Sequence, residues 1–354
     1  MRALFIGGTG TISTAVSRRF LEMGGELYLL NRGNRSKIFS GKVKEIHCDI
    51  NNDDAVAEKI WGLDFDVVAD FITFVPSQIE RDYRIFKDKT KQYICISSAS
   101  AYQKPLTNYL INESTPLANP YWEYSRNKIA CEEYLLKLYR EQGFPITIIR
   151  PSHTYDERNV PLGVHGKNGS WQVLKRMLNG KPVVIHGDGT SLWTMTHCSD
   201  FAKGFLGLMG NSHAIGETVH ITSDETLTWN QIYGSIARAL NVELKAVHVS
   251  SAFLAQSGVY NFLGGLIGDK ANSVVFDNSK IKRLVPDFTA SVCFDKGIRS
   301  TIDYVLSHPE LQREDPEFDD WCDKVIAAQE RALRDLRTQL VPPAIPAAGA
   351  VAGA

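Results

Sequence analysis

At 354 residues, with thirty-nine basic and forty acidic side chains and a net charge of -1, the chain suits one large α/β unit with a smaller region packed on it. It lacks the electric field that would hold a phosphate polymer or an anionic membrane. Six scattered cysteines without CxxC spacing indicate neither a disulfide frame nor a zinc site. The apolar start, Ala3 to Ile6, is too brief for a secretory or membrane segment, so the expected location is the cytoplasm.

Short β-rich runs alternate with longer segments of helical period, the pattern of a doubly wound parallel sheet with crossover helices. The predicted strands are Ala3 to Ile6, Leu27 to Leu30, Val43 to Cys48, Phe65 to Phe71, Tyr93 to Ser97 and Ile146 to Arg150. Several are apolar on both faces, which argues burial on both sides of a sheet. Beyond Arg150 the rhythm loosens. Trp171 to Leu178 reads as a helix ended by Asn179-Gly180, Val219 to Thr222 as a return to the sheet, and Trp229 to Leu240 as a helix capped by Thr228. Asp200 is the expected cap of a helix over Phe201 to Met209. A charged amphipathic helix runs from Pro316 to about Leu340, and the Pro, Ala, Gly and Val tail over 341–354 is expected to be disordered.

The first strand ends in Gly7-Gly8-Thr9-Gly10-Thr11-Ile12-Ser13 and leads into Ala15 to Met23, which has helical period. Glycines here let the backbone turn tightly and approach a pyrophosphate, and the helix N-terminus offers free N–H donors. The third position of the GxxGxxG pattern is Ser13, small enough for close packing. At the end of the second strand, where an acid would accept from a ribose 2′-hydroxyl, the chain reads Asn31-Arg32-Gly33-Asn34-Arg35. Without a carboxylate there, Arg32, Arg35 and Lys37 are candidates for a 2′-phosphate, which favours NADP over NAD; a solvated basic loop fits them nearly as well. Asp49-Ile50 suits an adenine contact, and Asp49 fits equally as a cap for the following helix.

The fifth strand ends in Ile96-Ser97-Ser98-Ala99-Ser100-Ala101-Tyr102, and Tyr124-Ser125-Arg126-Asn127-Lys128 follows on a helix. A spacing of four puts Tyr124 and Lys128 on one face. A phenol ordinarily titrates near ~10, and the lysine supplies a cation expected to lower it. Ser98, at the carboxyl end of a parallel strand, is placed to hydrogen-bond the reacting oxygen. Tyr83 and Lys87 share the spacing but precede the serine strand.

The set formed by the glycine turn, Ser98, Tyr124 with Lys128, and Arg150-Pro151 resembles the extended short-chain dehydrogenase/reductase superfamily, especially its NAD-dependent epimerase/dehydratase branch. The resemblance implies a dinucleotide-binding Rossmann domain over 1–155, with 195–222 returning to it. A substrate-binding region would comprise 156–194 and 223–340. It implies catalysis by Ser98, Tyr124 and Lys128, and cofactor contacts from Gly7, Thr9, Gly10, Thr11, Ile12, Asn31, Arg32, Arg35, Asp49, Ile50, Phe71, Tyr124, Lys128 and Pro151. Substrate contacts would come from Ser98, Tyr102, His153 and Trp193, and a homodimer would form through Pro76 to Lys87 and Tyr124 to Tyr139. Two departures narrow this. Ala99-Ser100 stands where dehydratases of the family carry an Asp-Glu pair, and Trp193 stands where nucleotide-sugar epimerases place an arginine on the diphosphate. The expected activity is that of an NAD(P)-dependent epimerase or oxidoreductase of a sugar or sugar-nucleotide substrate, with a smaller sugar or sugar-like molecule favoured by the Trp193 departure. The alternatives are an NADPH-dependent carbonyl reductase and, in another class, a non-catalytic Rossmann RNA-binding protein. The polar Gly268-Asp269-Lys270 and 276–280 segment receives no role.

Overall fold

The computed structural model describes residues 1–33, 36–39 and 41–340, with only the backbone described at 36 and 37. Arg35 and the 341–354 tail, two subjects of the sequence reading, lie outside the described residues. In chain order, β1 (Arg2–Ile6) leads to α1 (Thr11–Glu22), β2 (Glu26–Asn31), β3 (Lys44–His47), α2 (Asp53–Lys59), β4 (Val67–Asp70), α3 (Pro76–Phe86) and β5 (Tyr93–Ile96). The short β6 (Leu110–Ile111), α4 (Glu123–Gln142), β7 (Ile146–Pro151), β8 (His153–Tyr155), α5 (Trp171–Leu178), β9 (Val183–His186), β10 (Leu192–Trp193) and β11 (Met195–His197) follow. Next come α6 (Cys198–Leu208), β12 (Thr218–Ile221), β13 (Leu227–Thr228), α7 (Trp229–Ala239), β14 (Ala246–Val249) and α8 (Ser251–Gln256). After a wide-pitched helical stretch, Leu263–Lys270, the chain closes with β15 (Val275–Phe276), α9 (Ser279–Leu284), α10 (Phe294–Ser307) and α11 (Pro316–Leu340).

Seven strands form one parallel sheet in the order β12-β7-β5-β4-β1-β2-β3. Successive side chains of a strand point to opposite faces. Phe5 of β1 therefore packs in a cluster with Val16, Phe20 and Phe205, whereas Leu4 and Ile6 enter a cluster with Ile79, Phe86 and Leu135. This two-sided burial is why the strands read as continuous apolar runs. A third cluster, around Trp193, Trp229, Ile232 and Phe318, lies under α5, α7, α10 and α11. The segment expected to return to the sheet does so as β12, parallel to β7 at its edge.

Helix boundaries follow the caps. α1 starts at Thr11, earlier than the apolar period suggests, because the Ser13 hydroxyl accepts the Gly10 N–H at 2.8 Å. Thr228 caps α7 as expected, its hydroxyl accepting the Gln231 N–H at 3.2 Å. Asp200 is not a cap. His197 holds that position on α6, and the buried Asp200 carboxylate accepts the Val292 N–H at 2.8 Å and pairs with Lys203 at 2.6 Å.

One buried ion pair ties α4 to the sheet. Arg150 of β7 and Glu132 of α4 are 4% and 1% exposed, with Arg150 Nε donating to Glu132 Oε1 at 2.9 Å. Ser97 donates to the same carboxylate. Removing one member strands the other charge away from water. Glu132→Ala should lower the unfolding free energy by about 3–5 kcal/mol, read from urea denaturation; a loss below about 1 kcal/mol would mean that water reaches Arg150 and relieves it.

Candidate active site

Strand order reverses at β1: β2 and β3 lie on one side of it, and β4, β5, β7 and β12 on the other. Open parallel sheets bind ligands at the carboxyl ends of the strands flanking such a reversal. The glycine turn lies there. Gly7 has φ +79, and a Cβ on it would lie 2.4 Å from Ile72 Cγ2 in the loop after β4. Only glycine combines that backbone with that approach. Ser13, the departure from the third glycine, also fastens the turn, donating to the Gly7 carbonyl at 2.9 Å.

Beside the turn runs a groove of about 570 Å³. Gly7, Thr9, Gly10, Asn31, Arg32, Asp49 and Ile50 line it, joined by Ile72 and Asn51. Asp49 does not cap α2. Its carboxylate accepts from the Asn51 backbone and side chain, both at 3.0 Å, while Asn52 caps the helix. Asn31 accepts from Gly33 N at 2.6 Å, and its buried Nδ2 has no partner among the described residues. An orphan donor beside a glycine turn and a helix N-terminus is what a dinucleotide site requires, so the residues fit the cofactor.

Six expected cofactor contacts do not line this groove: Thr11, Ile12, Phe71, Tyr124, Lys128 and Pro151. Phe71 turns into the core and stacks on Phe205 at 5.4 Å, leaving the groove to Ile72. Ile12 packs against the same core. Thr11 lines a depression that adjoins the groove at Gly10 and includes Arg158 and Asn159, and Pro151 lines a second cavity.

That second cavity, about 260 Å³, brings together Ser98, Tyr124, Pro151, His153 and Trp193. Tyr102 does not join them. It is fully buried, its hydroxyl hydrogen-bonded to His220 Nδ1 at 3.0 Å and its ring 4.7 Å from the Arg150 guanidinium. It follows Ser98 by four residues, and the short helical turn at 99–101 carries it into the core.

Burial raises the Tyr124 pKa, and the neighbouring Ser98 hydroxyl partly offsets this by favouring the phenolate. The expected lowering by Lys128 is not what the geometry gives. Lys128 shares the helical face and its Nζ is 5.7 Å from the Tyr124 ring centroid, but it donates to the Ile96 carbonyl at 2.7 Å and to the Thr73 carbonyl. Ser98 heads a hydroxyl chain, 2.9 Å from Ser100, which accepts from Ser125 at 2.8 Å. His153 accepts from Trp193 Nε1 at 3.3 Å, and burial pulls its pKa down to about 3, so the ring is neutral. Trp193 is both a cavity wall and core, 5.8 Å from Trp229.

Sequence reasoning missed Lys104, Trp122, Asp269 and Lys270, which also line this cavity. The Gly268 segment gains its place from Asn119, whose amide donates to Gly268 O at 2.7 Å and to Ser100 O at 2.9 Å. Trp122 could have been found from its position two residues before Tyr124. The lysines and Asp269 carried no spacing signal.

The sequence pattern of the NAD dependent epimerase/dehydratase family matches residues 3–222, more than half of the chain. The chain belongs to this family. It is thereby an NAD(P)-dependent enzyme of the extended short-chain dehydrogenase/reductase type. This family member is 23% identical over 288 residues to 2'-dehydrokanamycin reductase of Streptomyces kanamyceticus, covering 81% of this chain and 80% of that one. It is 26% identical over 252 residues to the chloroplast stem-loop binding protein of 41 kDa b of Arabidopsis thaliana, covering 67% of this chain and 63% of that protein. In structure it resembles the UDP-glucuronic acid 4-epimerase of Bacillus cereus in complex with UDP-glucuronic acid and NAD, with a TM-score of 0.69 at 18% identity over 87% of this chain and 99% of that one.

In this epimerase/dehydratase-family protein the glycine turn has no slack. Gly7→Ala should weaken NAD(P) binding about tenfold or more, from the left-handed strain and the push on Ile72, as isothermal titration calorimetry on the folded variant would measure. Unchanged affinity would show that the turn does not approach the cofactor.

Proposed function

We propose that this enzyme moves a hydride between a nicotinamide cofactor and a hydroxyl-bearing carbon of a sugar or sugar-like molecule, as an epimerase or oxidoreductase, with Tyr124 as the acid/base. The carrying observation is that Ser98 and Tyr124 line one small cavity walled by Trp122 and Trp193. Indole faces stack on the C–H face of a sugar ring, and the two hydroxyls supply hydrogen bonds to an oxygen on it. Gly7, Gly10 and Asn31 would hold the cofactor, which supplies the hydride acceptor and donor when bound.

Tyr124 gives a proton to a carbonyl oxygen or takes one from a hydroxyl, and Ser98 holds that oxygen through a hydrogen bond. Lys128, already bonded to the Ile96 and Thr73 carbonyls, fixes the floor beneath Tyr124 and is the candidate for a cofactor ribose hydroxyl. The Ser98, Ser100 and Ser125 chain orients the Ser98 hydroxyl. With Ala99-Ser100 in place of an acid pair, dehydration lacks its acid and base. Trp193 likewise offers no charge for a diphosphate, which favours a single sugar over a nucleotide sugar.

Tyr124→Phe should retain cofactor affinity and lose turnover by about 10²–10⁴-fold, followed by nicotinamide absorbance with a panel of sugars. Because burial raises the Tyr124 pKa, the base form grows as pH rises, so oxidation should speed up from neutral to alkaline pH while reduction slows. A Phe variant as active as the parent would sink the assignment.

Net reduction with exchangeable NADPH is the second reading, favoured by Arg32 on the groove wall and the absence of an acid at Asn31. Arg32→Ala should weaken NADPH binding about tenfold and leave NADH binding unchanged. Tightly retained NAD on the purified protein would count for epimerisation instead. The likeness to a stem-loop binding protein keeps RNA as the alternative class of ligand, against which stand the near-zero net charge and the sugar-sized cavity.

A further inference from the structure

The cavity holds a charge that hydride transfer does not use. Five cationic side chains are buried among the described residues: Arg81, Lys104, Lys128, Arg150 and Arg176. Arg81 is bonded to Asp82, Arg150 to Glu132, and Arg176 to Asp319 and Asp323, while Lys128 donates to two carbonyls. Lys104 is the exception. It is 3% exposed and lines the cavity, yet its ammonium has no hydrogen-bond acceptor or ion-pair partner among the described residues. The Lys104 nitrogen keeps access to the cavity, so water completes the ammonium there until a ligand with an acceptor takes its place.

The surroundings say what that something is. Asp269 attracts Lys104 only at a distance, since its carboxylate lies 3.6 Å from the ammonium of Lys270. Lys270 stands 5.9 Å from the Trp122 ring centroid, on the same wall. His153 is neutral. Two ammonium groups and one carboxylate leave the cavity with one uncompensated positive charge. A sugar hydroxyl would give Lys104 an acceptor but leave that charge in place; an anion does both. At about 260 Å³ the space falls below the range of roughly 300–1,000 Å³ common for larger ligands, which suits one ring with a short substituent.

We propose that Lys104, with Lys270 beside it, forms a subsite for one anionic group, a carboxylate or a phosphate ester, on a single sugar ring. This rests on reading the cavity as the substrate site of a hydride-transferring enzyme, and it narrows the substrate to an anionic monosaccharide. Burial holds the Lys104 pKa down in the absence of such a group, and an anion would restore it.

The test is calorimetric binding of D-glucuronate, D-glucose 6-phosphate and D-glucose to the full chain saturated with NADP or NAD. At least one anion should bind about tenfold more tightly than glucose, and which one does so separates carboxylate from phosphate. Lys104→Gln should bring that preference to within about twofold, and Lys104→Arg should keep most of it. Asp269→Asn, which removes the competing negative charge, should tighten anion binding several-fold, and it carries the test if Lys104→Gln does not fold. Glucose binding as tightly as both anions would overturn the subsite, as would a preference untouched by Lys104→Gln or an Asp269→Asn variant that binds the anion no better. Failure of the enzymatic reading looks different. Anion binding that depends on Lys104, without change in nicotinamide absorbance for any ligand, keeps the subsite and removes the hydride transfer. Turnover that is lost in Tyr124→Phe but equal for glucose and the anions keeps the hydride transfer and removes the subsite.

Discussion

The carbonyl oxygens of Thr73 and Ile96 both accept from the ammonium of Lys128, and the site is built around that shared cation. One carbonyl belongs to the loop after β4 and the other to the end of β5, so a side chain of α4 holds two strand ends at fixed separation. The loop is held from its other side as well. The Asp70 carboxylate accepts from Ile72 N and Thr73 Oγ1, both at 2.6 Å, which fixes the Thr73 backbone and aims Ile72 at Gly7. The Thr73 backbone beside the groove residue Ile72 and the β5 end beside the cavity residue Ser98 are thus held by one side chain.

The two sites differ in their electrostatics. The groove combines uncharged donors, the turn and the Asn31 amide, with Arg32 and the Asp49 carboxylate on its wall. The cavity combines aromatic walls with charges that do not balance, and a histidine kept neutral by burial. Tyr124 sits where burial and the Ser98 hydroxyl oppose each other. Burial favours the protonated phenol, and a hydrogen bond or positive charge beside it favours the phenolate.

The parts legible in the sequence are those whose physics is local. Gly7 and Gly10 announce a turn because backbone conformation belongs to the residue itself, and the spacing of Tyr124 and Lys128 gives a shared face because an α-helix repeats every 3.6 residues. The caps were less secure. Asp200 resembles a helix cap but serves as an acceptor for Val292, 92 residues away, and Phe71 and Ile72 exchange roles because one residue of register flips a side chain to the other face.

The sequence by itself determined the doubly wound sheet, the glycine turn and the Tyr124 helix, since apolar periodicity and glycine stereochemistry act within a few neighbouring residues. Only the tertiary structure decided that Tyr102 is core, that Lys128 is occupied by backbone carbonyls, and that Lys104, Trp122, Asp269 and Lys270 meet in one cavity. Burial and Coulombic fields depend on distances between segments from tens to more than a hundred residues apart, and such distances exist only once the chain has folded.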